Sequence, residues 1–155
     1  MSNYILETKG LTKKFKNQIA VNNVSLSIKE NSVFGLLGPN GAGKSTILKM
    51  VTGIMKPSSG EILFENHSWS RKDLYDIGAL IESPAIYPNL TAIENLKLAC
   101  TLYGLPYNRA EEALNIIDLK KTGNKKVKNF SMGMKQRLGL GMAIINKPKL
   151  LILDE

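Results

Sequence analysis

The stretch GPNGAGKST, residues 38–46, constrains this chain more than any other. It follows the apolar run SVFGLL, which reads as a short buried strand, and it runs into KSTILKMVTGI, where Ile47, Leu48, Val51 and Ile54 recur at helical spacing. Strand, glycine-rich turn and helix in that order are the context required by the pattern G-x-x-x-x-G-K-[ST], matched here by Gly38, Gly43, Lys44 and Ser45. Glycines let the backbone curl so that several N–H groups point inward at phosphate oxygens, reinforced by the positive end of the helix. The candidate cradle is therefore Gly38, Pro39, Asn40, Gly41, Ala42, Gly43, Lys44, Ser45 and Thr46. Lys44 is placed to neutralise the terminal phosphates of a nucleotide, and the Ser45 hydroxyl to hold Mg²⁺. The bland alternative is a glycine-rich turn and nothing more; the full pattern in its required context argues against it.

The last segment, KPKLLILDE, supplies a second half to that chemistry. Leu150, Leu151, Ile152 and Leu153 read as a buried strand that delivers Asp154 and Glu155 to its carboxyl end. Open α/β sheets keep their chemistry at such ends. A phosphate-binding loop needs a carboxylate from a neighbouring strand to hold the metal's hydration shell, which is the role read for Asp154. Glu155, one residue on, is placed to orient or deprotonate an attacking water.

Between these ends the texture changes once. YILETKGLTKKF, AVNNVSLSI, EILFEN and IGALIE read as strands, with Pro57, Ser58, Ser59 and Gly60 as the turn before the third, and His67 in a loop-like stretch after it. After Glu82 the pattern turns helical. Thr91 followed by Glu94 has capping-box spacing and opens a helix with Ile93, Leu96, Cys100 and Tyr103 on one face. RAEEALNIIDL and MKQRLGLGMAII follow as helices, the latter with Leu138, Met142 and Ile145 on one face. The result is a mixed α/β layer interrupted by a helical insertion.

Several classes of function are disfavoured. One cysteine, Cys100, and one histidine, His67, make neither an internal disulfide nor a zinc cluster, and Cys100 reads as a small apolar residue on a helix face. No apolar run is long enough to span a membrane. The net charge of +8 invites nucleic acid, yet the densest basic stretch, KKTGNKKVKN at residues 120–129, has no aromatic residue to stack on bases and reads as a solvated loop. No nucleic-acid partner is expected.

Taken together, the ordered motifs resemble the nucleotide-binding subunit of an ATP-binding cassette (ABC) transporter over all 155 residues. The resemblance implies an α/β P-loop NTPase of ABC type: a mixed sheet core with antiparallel N-terminal strands and a helical insertion, with the C-terminal part of the domain missing. It divides the chain into a nucleotide-binding core at 1–82, a helical subdomain at 83–146 and the last strand at 147–155. ATP and Mg²⁺ are the implied cofactors. Phe15 matches the aromatic position that stacks on adenine in the family. NFSMGMKQR aligns with the family signature through Ser131 and Gly133, which would face the γ-phosphate held by an opposite subunit in a head-to-tail dimer. Met132 replaces a signature glycine, so a left-handed backbone there would be strained.

Most transporters of this class carry glutamine where this chain has Glu82, at a position that touches Mg²⁺ and the attacking water and senses the membrane subunit. A glutamate there, with YPNLTA nearby, resembles the subgroup that exports lantibiotics and bacitracin-like peptides for self-protection. The implied catalytic residues are Glu155, Lys44 and Glu82, and the implied metal site is Ser45, Glu82 and Asp154. The implied partners are transmembrane permease subunits and a second ATP-binding subunit, at the cytoplasmic face of a bacterial membrane. Two other readings stand beside this one: a non-transport cassette ATPase acting on nucleic acid, and an inactive remnant. The chain is also expected to continue beyond Glu155 in a longer protein, and to hydrolyse ATP poorly as it stands.

Overall fold

Two long strands, β1 (Tyr4–Phe15) and β2 (Gln18–Lys29), open the structure as a hairpin closed by the pair Phe15 and Gln18. The computed structural model describes residues 3–154. It divides into two compact units, Met1–Leu74 and Tyr75–Glu155.

In the first unit, β3 (Ser59–Phe64) and β4 (His67–Ser68) complete an antiparallel sheet of order β2-β1-β3-β4. Glu65 and Asn66, expected to end a strand, instead form the two-residue turn between Phe64 and His67, both left-handed at φ 46° and 65°. That backbone matches the twist of the strands it joins, and it places His67 in β4 rather than in a loop. Helix α1 (Lys44–Val51) packs Ile47, Met50 and Val51 into a core with Leu6, Leu11, Val21 and Phe64. It stops at Thr52, so Ile54 does not extend the apolar face and is 67% exposed.

The largest departure concerns SVFGLL. Residues 32–39 form no strand, and Val33 and Leu37 are 103% and 92% exposed. An apolar run declares what it could bury, but a strand also needs a neighbour to take its N–H and C=O groups. Among the described residues no strand pairs with it.

A small polar clip fastens β4. His67 Nε2 lies 2.9 Å from Asp73 Oδ1, while the Ser70 N–H donates to Asp73 Oδ2 at 2.6 Å. The bond to Asp73 raises the His67 pKa above its ordinary value. For Asp73, burial pushes upward, but the Ser70 N–H and the His67 ring more than offset it and hold the carboxyl below its ordinary value. The histidine therefore contributes fully below its unfolded pKa, about 6.5, and its share is lost as pH rises through the folded value. The aspartate contributes fully above its unfolded pKa, about 3.9, and its share is lost as pH falls through its folded value. Stability from the clip should peak between those limits. Urea midpoints measured from pH 4 to 8 are expected to lose this component in Asp73→Asn; an unchanged profile would dismiss the clip.

The second unit pairs β5 (Ile77–Leu80) with β6 (Leu150–Leu153) in parallel, Ile77 opposite Leu150 and Leu80 opposite Leu153. β6 is not buried on both faces as expected. Ile152 is buried, whereas Leu151 and Leu153 are exposed, because the strand has one paired edge and one covered face. β5 ends two residues short of Glu82.

Three helices build the core of this unit: α2 (Ala92–Tyr103), α3 (Asn108–Ile116) and α4 (Met132–Ile144). The capping box at Thr91 and Glu94 is formed in both directions, and Gly104 in left-handed backbone ends α2. Leu96 and Cys100 are fully buried with Leu119, Val127 and Leu138, and burial pushes the Cys100 thiol pKa up. α4 is buried more broadly than its apolar spacing implied, since Gly139, Gly141 and Ala143 join Leu138. No helix among the described residues is long and apolar enough to cross a membrane.

Candidate nucleotide-binding site

The loop at residues 38–43 is a curl rather than an open turn. The Ala42 N–H donates to Pro39 O at 3.2 Å, and Gly41 and Gly43 are left-handed at φ 81° and 90°. Gly43 stands at the helix N-cap against β2, where a Cβ would lie 2.4 Å from Ala20 O. Glycine is required there twice over, for its backbone and for its missing side chain. No side chain caps α1 and its first turn carries no acid, so the positive end of the helix dipole is not offset locally. Lys44 Nζ reaches back to Gly38 O at 2.7 Å and Pro39 O at 2.9 Å. A cation inside a glycine-lined curl at a helix N-terminus fits phosphate. Ser45 and Thr46 follow on the first turn, half-buried. Phe15, 43% exposed at the tip of the β1–β2 hairpin, belongs to the same hairpin that Gly43 abuts, with Lys13 Nζ 5.4 Å from its ring centre.

The remaining candidates lie in the second unit. Because β5 and β6 are parallel and in register, Glu82 and Asp154 leave the sheet at the same end, two residues after Leu80 and one after Leu153. The Asp154 N–H donates to Leu80 O at 2.9 Å, which extends the pairing to the acid itself. Glu82 is exposed in left-handed backbone at φ 60°. Glu155 lies outside the described residues. Ser131 is the N-cap of α4, its Oγ accepting the Met134 N–H at 3.3 Å, and the space beside the Gly133 Cα is open. Met132, the first residue of α4, is 80% exposed and does not have a positive φ, so the feared strain does not arise. One buried polar residue was not singled out from the sequence. Asn95 reads as one more polar residue on a helix, and its burial depends on a loop that only folding brings over it.

A glycine-rich curl opening a helix beside an antiparallel sheet has the form of a phosphate-binding loop, although no strand leads into it among the described residues. Residues 21–155 match the family model described as ABC transporter, and the chain belongs to that family. It is 46% identical to the lantibiotic transport ATP-binding protein SrtF of Streptococcus pyogenes, over 97% of this chain and 66% of that protein. It is 43% identical to the bacitracin transport ATP-binding protein BcrA of Bacillus licheniformis, over 97% of this chain and 51% of that one. Among solved structures it resembles cbiO1 from Clostridium perfringens, part of the ABC transporter complex cbiONQ, with a TM-score of 0.83 and 30% identity over 99% of this chain and 66% of that chain. The chain thus spans about half to two-thirds of the length of these relatives.

Proposed function

We propose that this chain belongs to an ATP-hydrolysing subunit that powers a bacterial exporter and confers immunity to a lantibiotic or bacitracin-like peptide. The observation that carries the ATP reading is the Lys44 ammonium held inside the glycine curl at the start of α1. Similarity to SrtF and BcrA supports the peptide reading.

In this reading the N–H groups of the loop and Lys44 hold the β- and γ-phosphates, and Phe15 stacks on adenine. Ser45 and Asp154 would hold Mg²⁺, directly or through water, and Glu82 would supply a further carboxylate. Mg²⁺ held by these residues would neutralise phosphate charge and polarise the γ-phosphoryl group. Glu155 orients the attacking water and takes its proton. Ser131 and Gly133, at the N-terminus of α4, face the γ-phosphate of the nucleotide on a second subunit, so two head-to-tail subunits complete each site. The subunit sits beneath its permease on the cytoplasmic face of the membrane. Transmitted movement, rather than any substrate contact in this chain, drives export.

Deleting the gene is expected to raise sensitivity to at least one peptide of this class, with rescue by the wild-type gene and none by Lys44→Ala. Unchanged sensitivity across the whole class would remove immunity from the proposal. Loss of sensitivity differences between wild-type and Lys44→Ala complementation would remove ATP hydrolysis as its motor.

A further inference from the structure

One fully buried polar side chain has no part in the chemistry above. Asn95, on α2 and 0% exposed, makes three hydrogen bonds to a single loop. Its Oδ1 accepts the Tyr87 N–H at 2.8 Å, and its Nδ2 donates to Tyr87 O at 3.1 Å and to Thr91 O at 2.9 Å. The carboxamide thereby uses its oxygen and both donors, and a buried amide in this state is fully satisfied. The loop it grips runs from Glu82 to the start of α2.

The same loop is held from its other side by the segment that leads into α4. The Val127 N–H donates to Leu90 O at 2.9 Å, and the Lys128 N–H to Pro88 O at 2.8 Å. Thr91 and Lys126 form an isolated bridge, and Lys126 Nζ lies 3.3 Å from Glu94, whose carboxyl the Thr91 N–H already holds below its ordinary pKa. Val127 and Phe130 anchor the segment in the core, and Ser131 follows as the N-cap of α4. Farther along α4, a Cβ on Gly139 would lie 2.5 Å from Pro84 Cβ, so the beginning of the loop also rests on that helix. From Pro84 to Ser131 there is a continuous path of backbone hydrogen bonds and close packing, and Asn95 is the fully buried side chain that grips it from α2.

We infer that Asn95 is a positioning residue: it makes the loop after Glu82 and the N-terminus of α4 move as one body, so that a displacement imposed on that loop reaches Ser131 and Gly133. Asn95 itself contacts no candidate phosphate ligand. What Ser131 does with the displacement rests on the reading in the preceding subsection; the mechanical link does not. Packed elements with two discrete arrangements carry such coupling, and hydrogen-bonded clamps decide whether neighbouring elements switch together or separately.

The test is made on the full-length subunit, with Asn95→Ala and the equal-sized Asn95→Asp. The aspartate keeps the bond from the Tyr87 N–H, loses both donations and sets a carboxylate against two carbonyls. Both variants should speed hydrogen exchange at the Val127 and Lys128 amides, whose acceptors lie on the released loop, while Ala113 and Leu114 on α3 keep their protection. In the subunit assembled with its permease, kcat for ATP should fall by roughly 10- to 100-fold with KM for ATP unchanged, because the P-loop is untouched. Unchanged exchange at residues 127–128 would overturn the inference, as would equal loosening of α3, since Asn95 would then be supporting the core generally. Local loosening with unaltered kcat would also overturn it, since the link would transmit nothing. If the wild-type assembly hydrolyses no ATP, the functional reading fails, and the exchange data still decide whether the clamp joins the two segments. Should Asn95→Ala not fold, Asn95→Asp carries the same comparisons.

Discussion

Lys44→Ala is expected to weaken binding of MgATP by about 10- to 100-fold while leaving the unfolding midpoint of the protein unchanged. The two halves of that expectation come from the same geometry. Among the described residues Lys44 Nζ bonds only to the carbonyls of Gly38 and Pro39, two residues that are themselves exposed, so water replaces the ammonium when it is removed. The loop's shape is set instead by Gly41, Gly43 and the Ala42 to Pro39 turn, none of which the substitution touches. What is lost is a charge-assisted bond to phosphate, worth about 1.5–3 kcal/mol where the partner is ionic, and each 1.4 kcal/mol is about tenfold in affinity. Calorimetric titration of the full-length protein with MgATP checks the affinity, and a urea melt checks the fold. A lowered midpoint would mean that Lys44 is part of the scaffold rather than of the phosphate site.

Gly78→Ala should have the opposite character and strongly destabilise the second unit. A Cβ at Gly78 would lie 2.0 Å from Ala143 O and 2.8 Å from Pro148 Cγ. The first obstacle is backbone of α4, which no rotamer change removes. α4 and β5 would have to separate by more than an ångström, in a region where Leu138, Ala143 and Ile145 are buried. Overpacking of this kind costs about 1–3 kcal/mol and occasionally more, and a backbone obstacle places Gly78→Ala at or beyond the upper end. Against a total stability of about 5–15 kcal/mol, that is a large share of what holds the protein folded. Gly139→Ala offers the internal comparison. Its Cβ would meet the Pro84 side chain at 2.5 Å and Leu80 Cδ1 at 2.9 Å, groups that can shift, so the loss should be smaller. Urea denaturation of the two variants checks the order; equal midpoints for Gly78→Ala and the wild type would show that β5 and α4 are not packed as described.

What was legible in the sequence divides along the line between local and nonlocal causes. The start of α2 was readable because a capping box is made by residues three apart, Thr91 and Glu94, and both of its bonds are formed. The long strands β1 and β2 were readable because their β-branched residues and alternation extend over many positions. SVFGLL was misread for a nonlocal reason, since its composition says nothing of which strand lies beside it. The run Leu150 to Leu153 likewise reads as buried throughout, and only the partners of β6 decide that Leu151 and Leu153 are exposed. Glu65 and Asn66 lacked the usual glycine of a tight hairpin turn, so the strand was extended through them.

The candidate site follows the same division. The loop at residues 38–46 is a local object, a curl whose glycines and lysine are neighbours in the chain. The shared edge of Glu82 and Asp154 is not local, because it exists only when β5 and β6 pair in register. Asn95 carried no sequence signal, since nothing in an asparagine on a helix announces that a distant loop will cover it.

The proposed ATPase activity is tested most directly by ATP turnover of the full-length subunit, measured for the wild type beside Lys44→Ala under saturating MgATP. Saturable hydrolysis by the wild type and a fall of about 10²- to 10³-fold in kcat for the variant, the loss typical when one stabiliser of transition-state charge is removed, are predicted. Turnover that survives in Lys44→Ala, or a wild-type protein that neither binds nor hydrolyses ATP, would contradict it.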